Sequence, residues 1–600
     1  MSDSNPQKDS PLLRLPGELL LVLLESLELP DFLKLRQCNR LLFQVSRERA
    51  LWISILASQR QNLPLPAIPG SFNDDVSGKD DRDGFCDMSI DDLEKLVAKF
   101  YRINNLWSQP RSPSSVCTLP RARTLEGSTT SLLGLEVLLD RWLLVLRMEG
   151  RMEIHDLSPS NPILGGIEAE TTILSSTVSL DCDGWGSYAA RADQDSGLIY
   201  IALVRTVERP FHLDLWQFSV DGAIRGQRQD DKLLKRLMRR TLDVPKLVRD
   251  IDPTKRLVAL SALTAVELLP WDDGIANSPT VPGTIPVPGY DTDSDDYWNG
   301  IVKLQFLGPF MLIAKTRSVE LHHYSPALAT NTGRFPLLRH TFEHRTFREV
   351  VFSHRKHSKS EFKETWEVKM LASDVIHGLF QFEVKVTLPI TSPATTASSQ
   401  SDIHPHLDVE LTGLYPLSLL IPPAPCPPKA SGYLMNREDT GTPTPASSHL
   451  HFQNGFGPFG HNSPSSITRG FLSTFCIGPQ GKRALWVERA RSSISREVQV
   501  WDQGMVRERG SGSTLLESSS STRERTGAPI QRMIDSWAVH FGHRCVEMEK
   551  NVVYKAVSYD LRDDITHCSF SETMGTIVLG TRAGNIRVLP LEDSRKGAAQ

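Results

Sequence analysis

DITHCSFSETMGTIVLGTRAGNIRVLPL, residues 564–591, is the run that decides how this chain is read. β-Formers gather over His567–Ser571, Met574-Gly575 signals a turn, Thr576–Thr581 makes a second strand, Ala583-Gly584-Asn585 a hairpin turn and Ile586–Leu591 a third strand. Far upstream, RWLLVLRMEGRMEIHDL (141–157) gives two strands joined at Glu149-Gly150, where glycine permits the turn. From about residue 118 onward the apolar pattern alternates, and before that point it is helical.

The 564–591 run resembles one blade of the WD-repeat propeller family. Blade-like stretches also occupy 132–157, 176–218, 244–271, 298–324, 339–388 and 471–502, which makes about seven and falls within the propeller range of roughly four to eight. Their ends, near Leu157, Phe218, Trp271, Tyr324, Val386, Trp501 and Leu591, are mostly further apart than the roughly 40–45 residues of a compact WD repeat. Long insertions account for the excess. Pro, Ser and Thr dominate 389–470, Ser and Gly mark 508–528, and Pro-Gly pairs with acidic residues fill 272–297, so all three are expected to be mobile inserts. Trp501-Asp502 sits where the family's dipeptide closes a strand, and Gly542-His543 precedes the last blade. A pair of β-sandwiches, or a propeller of another blade number, fits the same strands.

The other informative run is LLRLPGELLLVLLESL, residues 12–27. Leu15, Leu19, Leu23 and Leu27 form one helical stripe, Leu20 and Leu24 widen it, and Leu21 and Val22 put apolar groups on the opposite side. A helix apolar all round wants burial on several sides. Pro16 suits its first turn and Pro30 is expected to close it. Asp31 is the candidate N-cap of a second helix bearing Phe32, Leu33 and Leu35; Leu41, Leu42 and Val45 mark a third, and Leu51 and Trp52 complete the cluster. A unit of about 40 residues without disulfides or metal is usually too small to be stable alone, so a partner is expected to cover it. After a charged loop, Ser89 and Asp92 form a capping-box pattern for a connector helix carrying Leu93, Leu96, Val97 and Phe100.

The opening Leu15-Pro16-x-Glu18-Leu19-Leu20, then Leu23 and Leu27, Asp31-x-Leu33-x-Leu35-Arg36, Arg40-Leu41 and Leu51-Trp52 resemble the F-box family. Cys38-Asn39 departs from the family's more usual Val followed by a small residue or Cys. The resemblance implies docking on a Skp-type adaptor, and through it on a cullin and a RING subunit, with Leu15, Pro16, Leu19, Leu20, Leu23, Leu27, Leu33, Leu35 and Trp52 as adaptor-binding and bundle-core residues. The expected fold class is an α+β multidomain chain: disordered 1–10, a three-helix F-box bundle over 11–58, a linker over 59–117 with a helix near 89–107, and a divergent propeller over 118–595. The expected function is that of a non-catalytic receptor that binds an unidentified target protein through the propeller and promotes its ubiquitination. A scaffold outside a ligase and a metal-dependent enzyme are the alternatives.

A net charge of −4 and a pI near 6.5 give no reason to expect nucleic acid or an anionic membrane. The polar start and the Glu18 and Glu25 brackets argue against a signal peptide or a membrane span. Eight cysteines without a C-x-x-C suggest neither zinc nor a disulfide framework and fit cytoplasm or nucleus. No cofactor is expected. Gly455-x-Gly457-x-x-Gly460 lies in a Pro- and Ser-rich insert without a following helix, so a nucleotide role is not expected. His340, Glu343 and His344 spell H-x-x-E-H, which needs a helix to bind zinc, while His322-His323 and His404-Pro405-His406 lack a partner ligand. DKLLKRLMRR (231–240) reads as a basic, solvated interblade helix. Thr292 and Ser294 among acids, and Thr442-Pro443 and Thr444-Pro445, are candidate kinase sites.

Overall fold

In the computed structural model the alternating segments pair into seven sheets. The structure describes residues 11–62, 64, 88–111, 116–119, 131–157, 174–180, 184–193, 196–207, 209–220, 223, 233–262, 265–271, 283–287, 299–324, 336–342, 345–360, 363–375, 377–389, 405–417, 470–489, 494–503, 546–548 and 551–591. Blade 1 comprises Leu132–Leu138, Trp142–Arg147, Arg151–Asp156 and Leu174–Ser179; blade 2 comprises Trp185–Asp193, Leu198–Arg205, Phe211–Ser219 and Leu234–Leu242. Blade 3 is Leu247–Asp252, Leu257–Ser261, Ala265–Pro270 and Gly283–Pro286, and blade 4 is Ile301–Leu307, Phe310–Lys315, Ser318–His323 and Leu338–Thr341. Blade 5 runs Phe347–Phe352, Lys363–Asp374, Gly378–Pro389 and His406–Pro416, with Val546–Glu547 added in parallel at its edge and Lys356–Lys359 on its second strand. Blade 6 is Phe471–Ile477, Arg483–Arg489, Ser495–Asp502 and Asn551–Val557. Blade 7 takes Ile565–Phe570, Ile577–Thr581 and Ile586–Leu589 from the end of the chain and Cys117–Thr118 from before blade 1.

The first strand of each blade touches the first strands of both neighbours, and the series closes from blade 7 back to blade 1. That ring makes the molecule a seven-bladed WD40-like propeller and removes the sandwich alternative. Seven apolar clusters fill it, each shared by two adjacent blades. Every first strand carries a register shift near its start, from Leu132/Gly134 in blade 1 to Ile565/His567 in blade 7. Such bulges add local twist, so all blades turn at the same radius. Backbone N–H groups at or near these positions bond across blades, Val137 to Ser569 Oγ at 2.9 Å, Val248 to Ser187 Oγ at 2.9 Å and Phe306 to Asp250 Oδ2 at 2.9 Å.

Three sequence readings of the propeller need correction. Residues 272–297 and 389–470 are not wholly insert, because Gly283–Pro286 and His406–Pro416 are outer strands of blades 3 and 5. Segments read as openings of new blades, at 176 and 339, instead close blades 1 and 4. The 231–240 segment is the outer strand Leu234–Leu242 rather than a helix. Its pairing with Phe211–Ser219 satisfies the backbone, and Arg239 grips Asp214 through two bonds of 2.8 and 2.7 Å. His340 lies on the strand Leu338–Thr341 and not on the helix that the H-x-x-E-H motif would need to bind zinc, in keeping with its not being read as a metal site, while Glu343 and His344 fall outside the described residues. The 508–528 insert, Gly455 to Gly460, Gly542-His543 and the candidate kinase sites also lie outside them.

Ahead of the propeller stand helices α1 (Gly17–Glu25), α2 (Leu29–Cys38), α3 (Arg40–Val45), α4 (Arg49–Asn62) and α5 (Ile90–Trp107). The head thus has four short helices where three were expected. Pro30 belongs to the first turn of α2, whose N-cap is Glu28 and not Asp31, because proline suits a position lacking an intrahelical donor bond. Asn39 caps α3 by accepting from the Leu41 N–H at 2.7 Å.

α5 joins head to propeller. Ser89 caps it through the Asp92 N–H; Leu93, Val97 and Phe100 enter the head core, and Trp107 enters the cluster between blades 6 and 7. Trp107 meets Phe570 with ring centroids 5.2 Å apart, and the Arg483 guanidinium lies 4.8 Å from its centroid. Arg111 then donates its N–H to Val553 O at 2.6 Å and its guanidinium to Pro590 O and Gly575 O at 3.0 and 3.2 Å. Truncating an aromatic this deeply buried costs about 3–5 kcal/mol. Trp107→Ala is therefore expected to lower propeller stability in chemical denaturation and, in limited proteolysis, to free the head from the ring.

Glu572, in the first turn of blade 7, accepts N–H groups from Gln480, Lys482 and Arg483 of blade 6 at 2.6, 2.8 and 3.0 Å. Its own N–H donates to Asp140 of blade 1 at 2.7 Å, so one residue ties three blades together. Burial, reinforced by the Asp140 carboxylate, outweighs those donors and pushes the Glu572 carboxyl up from 4.5 to about 7. A carboxyl raised on folding contributes stability that is complete below its unfolded value and lost as pH rises through its folded value, here at most about 3 kcal/mol. The melting temperature is expected to fall between pH 5.5 and 8 in the wild type, and Glu572→Gln is expected to flatten that slope.

Candidate interaction surfaces

The head core is built from both sides. Leu20 and Leu24 of α1, Phe32 of α2, Leu42 of α3 and Trp52 and Leu56 of α4 are buried, and α5 supplies Leu93, Val97 and Phe100 as a further wall. Trp52 donates its indole N–H to Ser46 O at 2.8 Å and meets Phe32 edge-on at 5.3 Å. Arg36 to Glu94 and Arg47 to Asp91, each at 2.8 Å, bind the small helices to α5. The head therefore obtains part of its missing cover from its own connector helix, which its N-terminal half alone did not reveal.

What remains open is narrower than the sequence implied. Leu15, Pro16 and Leu19 are exposed, Leu19 by 53%. Leu23, Leu27, Leu33 and Leu35 are half-buried, the last three against the core, whereas Leu20 and Trp52 are fully internal and present nothing to a partner. Three residues absent from the sequence-based set join the open surface: Val22, 63% exposed, with Leu41 and Phe43 on α3, which packs against α1. The i, i+3 spacing of Leu19 and Val22 on α1 was the available signal for Val22.

The propeller offers a second surface. One face, here the upper face, carries the turns between second and third strands and the connections from blade to blade; the lower face carries the other two sets of connections. α5 docks on the lower face, since Arg483 begins a second strand and Gly575 lies in a turn between first and second strands. Exposed large apolar side chains are distributed unevenly. Among the described residues, Met148, Val207 and Val375 sit in upper-face turns, and Val244, Leu247, Phe471, Val557, Tyr559 and Leu561 in or beside blade-to-blade connections. Leu337 is their counterpart on the lower face.

Near the axis, two arginines of first strands are engaged. Arg191 pairs with Asp250 at 3.2 Å, and Arg249 donates to Val302 O and Ile301 O at 2.6 and 2.9 Å. A polar cavity of about 170 Å³ between blades 5 and 6 is lined by His354, Lys369, Lys482 and Gln503, among others. Lys369 donates to Gln503 at 2.6 Å, and burial holds its ammonium below the usual lysine range. Burial next to Arg191 and Arg355 lowers His354 to about 4. His322 is locked against Glu320 at 3.0 Å, with Lys315 on the same carboxylate. Among the described residues, no three His, Cys, Asp or Glu side chains group in a way that could hold a metal ion, and no helix is long and apolar enough to cross a membrane.

No protein-family model matches the chain, and no curated protein matches it. Solved structures do. The β-propeller domain of Cps50 (Swd1) from Myceliophteria thermophila is 8% identical, with a TM-score of 0.38 over 78% of this chain and 99% of that one. The C-terminal WD40 domain of Sif2 is 8% identical, with a TM-score of 0.37 over 77% and 96%. The WD40 domain of SCAP from fission yeast is 8% identical, with a TM-score of 0.32 over 77% and 82%. Likeness this low carries no argument about function, and the propeller assignment stands on this chain's own closed ring of seven sheets.

Proposed function

We propose that this chain is the receptor subunit of a Skp, cullin, F-box ubiquitin ligase, docking a Skp-type adaptor with its helical head and a target protein with the upper face of its propeller. One observation carries the reading. α1 is buried on one side through Leu20 and Leu24 and still presents Leu19 and Val22, with Leu15 exposed just ahead of it, on a head whose core is otherwise filled. Burying a Leu or Val side chain is worth roughly 1.5–3 kcal/mol, so this row, with Leu41 and Phe43, can sustain an interface after the cost of association. The spacing of the F-box-like residues supports a Skp-type adaptor as the partner, and α5 would hold that partner on the side of the propeller away from the target. The chemistry of ubiquitin transfer would then belong to the RING subunit and its associated enzyme.

Leu19→Asp and Val22→Asp are expected to change head stability by less than about 1 kcal/mol, because both side chains face solvent. Each is expected to abolish recovery of the adaptor in affinity purification followed by mass spectrometry. Trp52→Ala is expected to cost about 3–5 kcal/mol and to lose the adaptor through unfolding, a different result in denaturation. Retention of the adaptor by both aspartate variants would end the reading. Recovery of adaptor without cullin would favour a scaffold outside a ligase.

A further inference from the structure

We propose that Cys476 and Cys568 form a redox modification site, which a low-molecular-weight disulfide such as oxidised glutathione converts into a covalent bridge between blades 6 and 7. The inference goes beyond the receptor reading and does not depend on it. Cys476 lies on the first strand of blade 6 and Cys568 on the first strand of blade 7, adjacent strands of different sheets. Both are free thiols, and the Cys568 thiol donates to Cys476 Sγ at 3.6 Å. Thr474 Oγ1 stands 3.7 Å from Cys568 Sγ. A disulfide requires the two sulfurs to close by roughly 1.5 Å, a distance within reach of side-chain rotation.

The surroundings hold the pair at that separation. A few residues further on, Glu572 of blade 7 accepts the N–H groups of Gln480, Lys482 and Arg483 of blade 6. Gly478 comes so near that a Cβ there would collide with the Glu572 carboxyl. Between the strands, both cysteines pack in the apolar cluster that includes Trp107, Leu485, Phe570 and Ile577. They therefore face each other across the joint that closes the ring and anchors α5, and a bond between them would lock that joint.

Exposure orders the exchange. Cys476 is half-buried and open to a reagent, whereas Cys568 is buried. The Cys476 thiolate attacks one sulfur of oxidised glutathione, forming a mixed disulfide and expelling one glutathione thiolate. Cys568 then gives up its proton, attacks Cys476 Sγ and expels the second. The protein loses two protons and two electrons, and the reagent leaves as two molecules of reduced glutathione. Burial raises the Cys476 thiol well above its ordinary value, and the neighbouring Cys568 and the Glu349 carboxylate add to the shift. Little thiolate is present at neutral pH, so the exchange is slow there.

The test treats the reduced full-length chain with oxidised glutathione at about pH 8.5, where more thiolate forms, and digests it without reduction for mass spectrometry. A peptide pair joined through Cys476 and Cys568 is expected, and it is expected to separate on reduction. The oxidised chain is expected to unfold at a higher denaturant concentration than the reduced one, because a bridge spanning 92 residues constrains the unfolded chain. Cys568→Ser is expected to keep one glutathione on Cys476, while Cys476→Ser is expected to leave Cys568 unmodified. Exposed Cys38 is expected to carry glutathione in every sample and reports that the reagent is active. Glutathione adducts without the joined pair, a bridge from either cysteine to another partner, or an unchanged denaturation midpoint once the pair is joined would each overturn the proposal. The first readout uses the wild-type chain, so it stands even if a serine variant fails to fold.

Discussion

Closing a ring of seven blades requires two distant parts of the chain to meet in one sheet, and here the strand that does it is two residues long. Cys117 and Thr118 pair with Val588 and Arg587, and Leu119 adds one bond to Ile586. So short a strand contributes little by itself, since each backbone hydrogen bond is worth only about 0.5–1.5 kcal/mol net. Trp107 and Arg111, just upstream, make up the difference by wedging into the joint between blades 6 and 7 and holding three carbonyls there. Ring closure and attachment of the head are therefore one structural event. Because α5 runs directly from the head core into that joint, the orientation of the head follows from the requirement that the ring be shut.

This joint also separates the two surfaces. The lower face receives α5 and holds the ends of third strands and the starts of fourth strands, which are far apart in sequence in six blades, separated by residues 157–173, 220–233, 271–282, 324–337, 390–405 and 503–550. The upper face has mostly short turns, held by the bulged first strands and by bonds between blades. A short, braced turn can display an apolar side chain without collapsing around it, and nearly all exposed apolar side chains of the propeller lie there. Apolar surface on a soluble protein is tolerated singly and is informative when it is gathered. Here it is gathered at two places, on the head and on the face of the ring away from α5.

Much of this was legible in the sequence, and the losses have physical causes. The three strands of 564–591 and the hairpin over 141–157 were read nearly to the residue, because their turns carry glycine at positive φ, Gly150 at 84°, Gly575 at 71° and Gly584 at 80°. Outer strands were missed or assigned to the next blade since each follows a long excursion, and periodicity cannot be carried across one. Leu234–Leu242 was mistaken for a helix because an outer strand with one wet face and scattered basic residues mimics helical amphipathicity over a short window. On α1 the stripe was correct in kind but turned by one position. Leu20 and Leu24 face inward and Leu19 and Val22 outward, a rotation that depends on where α3, α4 and α5 pack.

A further signal lay unread in the third strands. Glu153, Glu267, Glu320 and Glu497 each occupy the third position of the third strand in blades 1, 3, 4 and 6, and each meets a cation: Arg147 and Arg151, Lys246, Lys315 and Lys555 respectively. Such pairs, buried at Glu153 and Glu320 and more open at Glu267 and Glu497, contribute little net stability, since desolvation or solvent screening offsets attraction. Their value is in register. The residues flanking these carboxylates, among them Met152 and Ile154, Val266 and Leu268, Val319 and Leu321, and Val498, belong to the apolar clusters between blades. Because side chains alternate with a period of two, a slip of one residue would drive each carboxylate into such a cluster and leave its cation behind. Four blades so pinned limit the ways in which the other three can pair, and this accounts for a divergent chain with few family dipeptides still closing into one ring.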